Sequence, residues 1–108
     1  MKPLYLLILA AAALRAADPP AQVFQMNCSA CHAVDQMVVG PSLVEISGIY
    51  GKDPDGFVKW CVAPQHKREG AIEMPSMAHL GEPTLRELHK YIIGQAAGEA
   101  SGKNMRCT

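Results

Sequence analysis

Five consecutive residues, Cys28-Ser29-Ala30-Cys31-His32, hold most of the reactive chemistry in this chain of 108 residues. Two thiols with two residues between them suit three kinds of site. They can supply half of a zinc site, run disulfide exchange, or form thioethers with the vinyl groups of a haem. In the last case the histidine that follows is held beneath the iron. Each chemistry demands different residues elsewhere, and these separate the three.

Zinc needs two further ligands, commonly a second Cys pair or two histidines three to five residues apart. Cys61 and Cys107 are far apart in sequence and lack close partners, and His66, His79 and His89 are scattered. Thiol exchange needs the pair to open a helix after a strand, where the helix N-terminus lowers the first thiol's pKa. Here the pair follows a helical pattern, and no segment alternates as a strand does. Haem attachment needs supports for His32, and two are present. A ligating histidine donates its second ring N–H to a fixed acceptor, and the Pro41 carbonyl, in Gly40-Pro41-Ser42-Leu43, is rigid and nine residues on. The iron's opposite face takes a soft ligand in low-spin electron carriers, most often methionine. Met74 is favoured because Pro75 fixes the chain after it. Met77, three residues later in the same loop, is the alternative.

These residues need elements to position them. Asp18 is placed to cap a short first helix whose first turn carries Pro19 and Pro20 and which leads into the Cys28 motif. Residues 33–52, with glycines at 40, 48 and 51, read as loop with one turn around Leu43–Ile46. Asp53 caps and Pro54 opens a helix that Pro64 stops. Residues 65–81 read as loop. The clearest helix follows, with Leu85, Leu88, Tyr91 and Ile92 on one face and Gly94 as its expected end. Beyond it, residues 95–108 read as a flexible tail rich in Ala, Gly and Ser.

The first residues carry a lysine, an eleven-residue apolar run from Leu4 to Leu14, and then small residues. That run is too short to span a bilayer and suits an export signal cleaved after Ala16. Loss of Lys2 and Arg15 leaves 8 basic residues against 10 acidic ones. A mildly acidic domain without a basic stripe argues against nucleic acid as a partner. A chain this small has a thin apolar core, so a filler is expected. In an oxidising compartment the four cysteines are best accounted for as modified groups.

The stretches "FQMNCSACH", "GPSLVEISGIYG", "MPSMAHL" and "LRELHKYI" stand in the order found in the class I cytochromes c. Over residues 20–93 the chain resembles their small bacterial mono-haem members. The resemblance implies an all-α cytochrome c fold, in which three to five short helices wrap one covalently bound haem c. It implies thioethers at Cys28 and Cys31, His32 and Met74 as axial ligands, and the Pro41 carbonyl supporting His32. The domain is expected at 17–94, behind a signal peptide at 1–16. Its role would be that of an electron carrier and not an enzyme: an exported monomer, free of stable membrane insertion, passing single electrons between periplasmic or membrane redox proteins. Two other readings are an open-site haem protein, peroxidase-like or gas-sensing, and a dedicated haem subunit of a dehydrogenase or oxidase complex.

Phe24 and Tyr91 match the aromatic positions where the family's first and last helices cross. Pro20 departs from the glycine that many relatives have there, which bears on the length and crossing of the first helix. Trp60 is open to core packing or to contact with the haem edge. The cluster His66-Lys67-Arg68 could rim that edge and favour an acidic partner, or be a solvated loop. Cys61 and Cys107 lie outside the family pattern. Either they bridge, pinning the tail, or Cys61 is a small buried core residue.

Overall fold

The computed structural model describes residues 18–65, 70 and 72–106, with side chains through residue 98. The expected signal peptide, the His66-Lys67-Arg68 cluster and Cys107 lie outside the described residues. Four α-helices follow one another: α1 (Pro20–Asn27), α2 (Leu43–Tyr50), α3 (Pro54–Val62) and α4 (Glu82–Arg106), with a 3₁₀ turn at Ala78–Leu80 before the last. No strand occurs among the described residues, and the fold is all-α as expected.

The first helix starts one residue later than Asp18 would require. Pro19 occupies the N-cap position in an extended conformation and Pro20 is the first helical residue. The Pro19 carbonyl accepts from the N–H groups of Gln22 and Val23 at 3.0 and 3.1 Å. Asp18 therefore provides no cap. Pro20 costs the helix nothing, because the first-turn N–H it lacks would have no partner within the helix.

The region expected to be loop with one turn is a two-turn helix, α2. Ser42 Oγ accepts from the Glu45 N–H at 3.1 Å, the usual role of serine at an N-cap. Leu43 and Ile46 then bury the inner face. The glycine content of the segment obscured this helix. α3 matches its sequence signals: Asp53 Oδ1 accepts from the Gly56 N–H at 2.9 Å, Pro54 is the first residue, and the helix stops short of Pro64. Phe57 and Cys61, one turn apart, face inward.

The spine of the molecule is α4, which touches each of the other three helices. Leu85, Leu88 and Ile92 are almost wholly buried. Tyr91 meets Phe24 of α1 with ring centroids 5.5 Å apart, so the two aromatics do mark the helix crossing. The buried His89 sits with Nε2 2.7 Å from the Tyr50 carbonyl at the end of α2, where a ring N–H donates to an oxygen that also accepts from the Asp53 N–H at 2.9 Å.

The expected end at Gly94 is corrected. The helix runs through it to Arg106, so residues 95–106 continue α4 instead of forming a separate tail. One interior glycine costs only about 1 kcal/mol relative to alanine. The alanines and Gln95 that follow are good helix formers, and Ala96 buries against the core. Gly94 does not have the positive φ of a helix-ending glycine, and a Cβ there would meet open space. Gly94→Ala is therefore expected to raise stability by up to about 1 kcal/mol in chemical denaturation. A loss of stability would place the helix end at Gly94.

Candidate functional site

The Cys28 motif leaves α1 in a helical turn, with the N–H groups of Cys31 and His32 both donating to the Cys28 carbonyl. The chain then doubles back on the motif. Gly40 N–H donates to the Cys31 carbonyl at 2.8 Å, Leu43 N–H to the Ala33 carbonyl at 2.9 Å, and Val44 N–H to the Val34 carbonyl at 3.1 Å. This fold-back brings Pro41 to the ring of His32. Nδ1 lies 2.8 Å from the Pro41 carbonyl oxygen. A carbonyl can only accept, so the proton sits on Nδ1 and the lone pair is left on Nε2, the arrangement a metal-binding histidine needs.

Gly40 makes the approach possible. A Cβ there would come within 2.5 Å of His32 Cε1 and within 3.1 Å of both ring nitrogens. The glycine is thus required by the closeness of the ring and not by an unusual backbone angle.

Between the four helices is a cavity of about 290 Å³. Cys28, Cys31 and His32 form part of its wall, and Leu43, Ile46, Phe57, Leu85, Leu88 and Ile92 supply much of the apolar remainder. The loop before the 3₁₀ turn forms another part of the wall. Its Met77 N–H donates to the Cys61 carbonyl at 2.7 Å, and Ser76 Oγ donates to the Val62 carbonyl at 2.6 Å. These bonds use two carbonyls that the C-terminus of α3 leaves unpaired, and they moor the loop there. The structure brings both Met74 and Met77 to the cavity; Met77 is buried and Met74 half-buried. Trp60 lines it as well.

Cys61 is the cavity residue that sequence reasoning missed. It is a free, buried thiol on α3 that faces the cavity. Burial first, and then the charge of Cys28, push its pKa up to about 12. The Cys28 thiol is raised to about 11, again by burial first and then by Cys31. Both thiols are therefore neutral near pH 7. The available signal was its position one turn after Phe57 on the inner face of α3, which marked it as buried without showing what it would face.

The donor set fits a broad, flat, mostly apolar group. Among the described residues no three His, Cys, Asp or Glu side chains converge as they would around a bare ion. Instead the thiols, the imidazole and the methionines are spread around one apolar cavity. No buried side-chain nitrogen or oxygen among the described residues lacks a partner, so the cavity presents no unmet polar demand that would call for a polar ligand.

Fold and site together define a class I-like mono-haem cytochrome c domain. Residues 15–92 match the family described as cytochrome c oxidase, cbb3-type, subunit III, and the chain belongs to that family. Membership implies a c-type haem and haem-based electron transfer. No curated protein and no solved structure gives a significant match. Among the described residues no helix is long and apolar enough to cross a membrane.

A methyl group at Gly40 should displace His32 and nothing else of consequence. Gly40→Ala is expected to cost about 1–3 kcal/mol and to lower the yield of haem-loaded protein. Gly48→Ala, where a Cβ meets open space, should leave both unchanged or slightly improved. Equal behaviour of the two variants in thermal denaturation and haem content would contradict the positioning role of Gly40.

Proposed function

We propose that the chain is an exported c-type cytochrome with one covalent haem, carrying single electrons between periplasmic or membrane-bound redox partners. The observation that carries this reading is the His32–Pro41 bond at 2.8 Å, made beside Cys28 and Cys31 in the wall of an apolar cavity. Haem, when bound, supplies an iron that takes up and gives back one electron.

The chain's own residues then have separable roles. Cys28 and Cys31 hold the group as thioethers and prevent its loss. His32 presents Nε2, with its ring angle and tautomer fixed by Pro41 and its closeness permitted by Gly40. Met74 would hold the group from its loop through a soft sulfur, which would raise the potential. Leu43, Ile46, Phe57, Leu85, Leu88 and Ile92 keep water from the site, which limits solvent rearrangement when the charge changes. With His32 and Met74 both holding the group, the chain's own residues would serve electron transfer and not the binding of a substrate. An export signal at 1–16 delivers the chain to the compartment where such attachment occurs.

The family's description favours a second reading in one respect. Its members are described as a subunit of a cbb3-type oxidase, so the same domain can serve as a fixed relay within an oxidase complex instead of a diffusing carrier. Co-purification of an oxidase with the native protein supports the relay; recovery of the protein alone supports the diffusing carrier.

Absorption spectroscopy separates the ligand assignments. Met74→Ala is expected to abolish the far-red methionine-to-iron band of the oxidised form and to let the reduced form bind carbon monoxide. Met77→Ala should keep the band and exclude carbon monoxide. The reverse pattern would move the ligand to Met77. Absence of the band, with free carbon monoxide binding, in the unmodified protein would indicate an open-site haem protein.

A further inference from the structure

His89 is the one buried polar side chain among the described residues, and the roles proposed above leave it unused. Its ring lies one aromatic layer behind the cavity. The ring centroid is 5.3 Å from that of Phe57, edge to face, and Nε2 is 2.7 Å from the Tyr50 carbonyl oxygen. Phe57 and Tyr50 both line the cavity. A carbonyl can only accept, so Nε2 carries a proton and the lone pair of the neutral ring is on Nδ1. No buried side-chain nitrogen among the described residues lacks a partner, and the ring's hydrogen bond is made by Nε2, so Nδ1 reaches solvent. Its opening is a surface cleft that His89 shares with Lys52, Arg86, Glu87 and Lys90.

We propose that His89 is a redox-linked proton site, whose Nδ1 takes up a proton when the cavity's group gains an electron and releases it when the electron leaves. The inference rests on the haem reading proposed above. The electron comes from one redox partner and goes to another; the proton comes from water and returns to it. The added electron lowers the charge of the cavity by one, and an apolar wall screens that change far less than water would. The reduced form therefore holds the Nδ1 proton more tightly. By linkage, a protonated His89 makes the electron easier to accept, so the potential falls as pH rises.

The charged neighbours form a background to this change. On α4, Arg86 pairs with Glu82 at 2.9 Å and with Asp55 of α3 at 2.6 Å, and Lys90 pairs with Glu87 at 3.1 Å. Between α2 and α3, Lys52 lines the cleft and Asp53 caps α3 while its N–H shares the Tyr50 carbonyl. The Tyr50 phenol is pushed up by burial first, then by Cys61 and Asp53, away from neutral pH. Carboxylates, lysine and arginine ordinarily change charge outside the range of about pH 5–8, and imidazole inside it. The Tyr50 bond survives protonation, because Nε2–H donates in both states. The change is thus one of charge and not of packing.

The test follows the His89 ring resonances by NMR in the intact haem-loaded protein, held oxidised or reduced, from about pH 5 to about pH 8. The expected result is severalfold tighter proton binding in the reduced form, with the Nε2 proton retained throughout. A ring that does not titrate, or equal affinity in the two forms, overturns the proposal. Potentiometry of His89→Gln, whose amide N–H can still reach the Tyr50 carbonyl, gives an independent reading. At a fixed applied potential the oxidised-to-reduced ratio of the unmodified protein should rise severalfold over that pH range, and the variant should lose most of the rise. An unchanged rise in the variant assigns the proton to another group, such as His79 or the haem's own carboxylates, and overturns the proposal while leaving the haem reading intact. Absence of haem from the secreted protein, read by intact mass, overturns both.

Discussion

The structure depends on one cavity whose wall all four helices share. The described side chains with the deepest burial, Leu43, Leu85 and Leu88, all belong to its wall, so the surfaces that hold the helices together also line the site. In a chain this short the buried apolar area is small to begin with. The fold is therefore organised around a group that completes it, and the site and the core are one feature.

The polar contacts place the chemistry around that centre with few parts. The turn after α1 sets His32, the fold-back through Gly40 and Pro41 orients it, and mooring of residues 76 and 77 on the end of α3 brings the methionine loop to the same cavity. Each contact also satisfies a backbone group that would otherwise be left unpaired near the core. Function and folding thus use the same hydrogen bonds. This is why a single Cβ at Gly40 is expected to disturb both.

Much of this was legible in the sequence where side-chain chemistry is local. The Asp53-Pro54 start of α3, the inner face of α4 and the Pro41 carbonyl follow from capping, periodicity and spacing. The losses came where tertiary contact overrides a local signal. Gly94 resembled a stop, but buried Ala96 and good helix formers carry α4 past it. The glycines of residues 40–51 resembled loop, but Ser42 and two buried aliphatics make α2. Asp18 resembled a cap, but Pro19 had already taken the position. Cys61 could be read as buried, yet what it faces depends on the packing of α3 against α4 and the cavity, which no local pattern encodes.

The central claim is that this cavity is completed by one haem held through Cys28 and Cys31. It is tested most directly by the intact mass of the secreted protein under denaturing conditions. The account predicts the chain from residue 17 onward plus one haem, retained after acid and organic solvent. A mature chain of unmodified mass, or one that sheds its haem under those conditions, would contradict it.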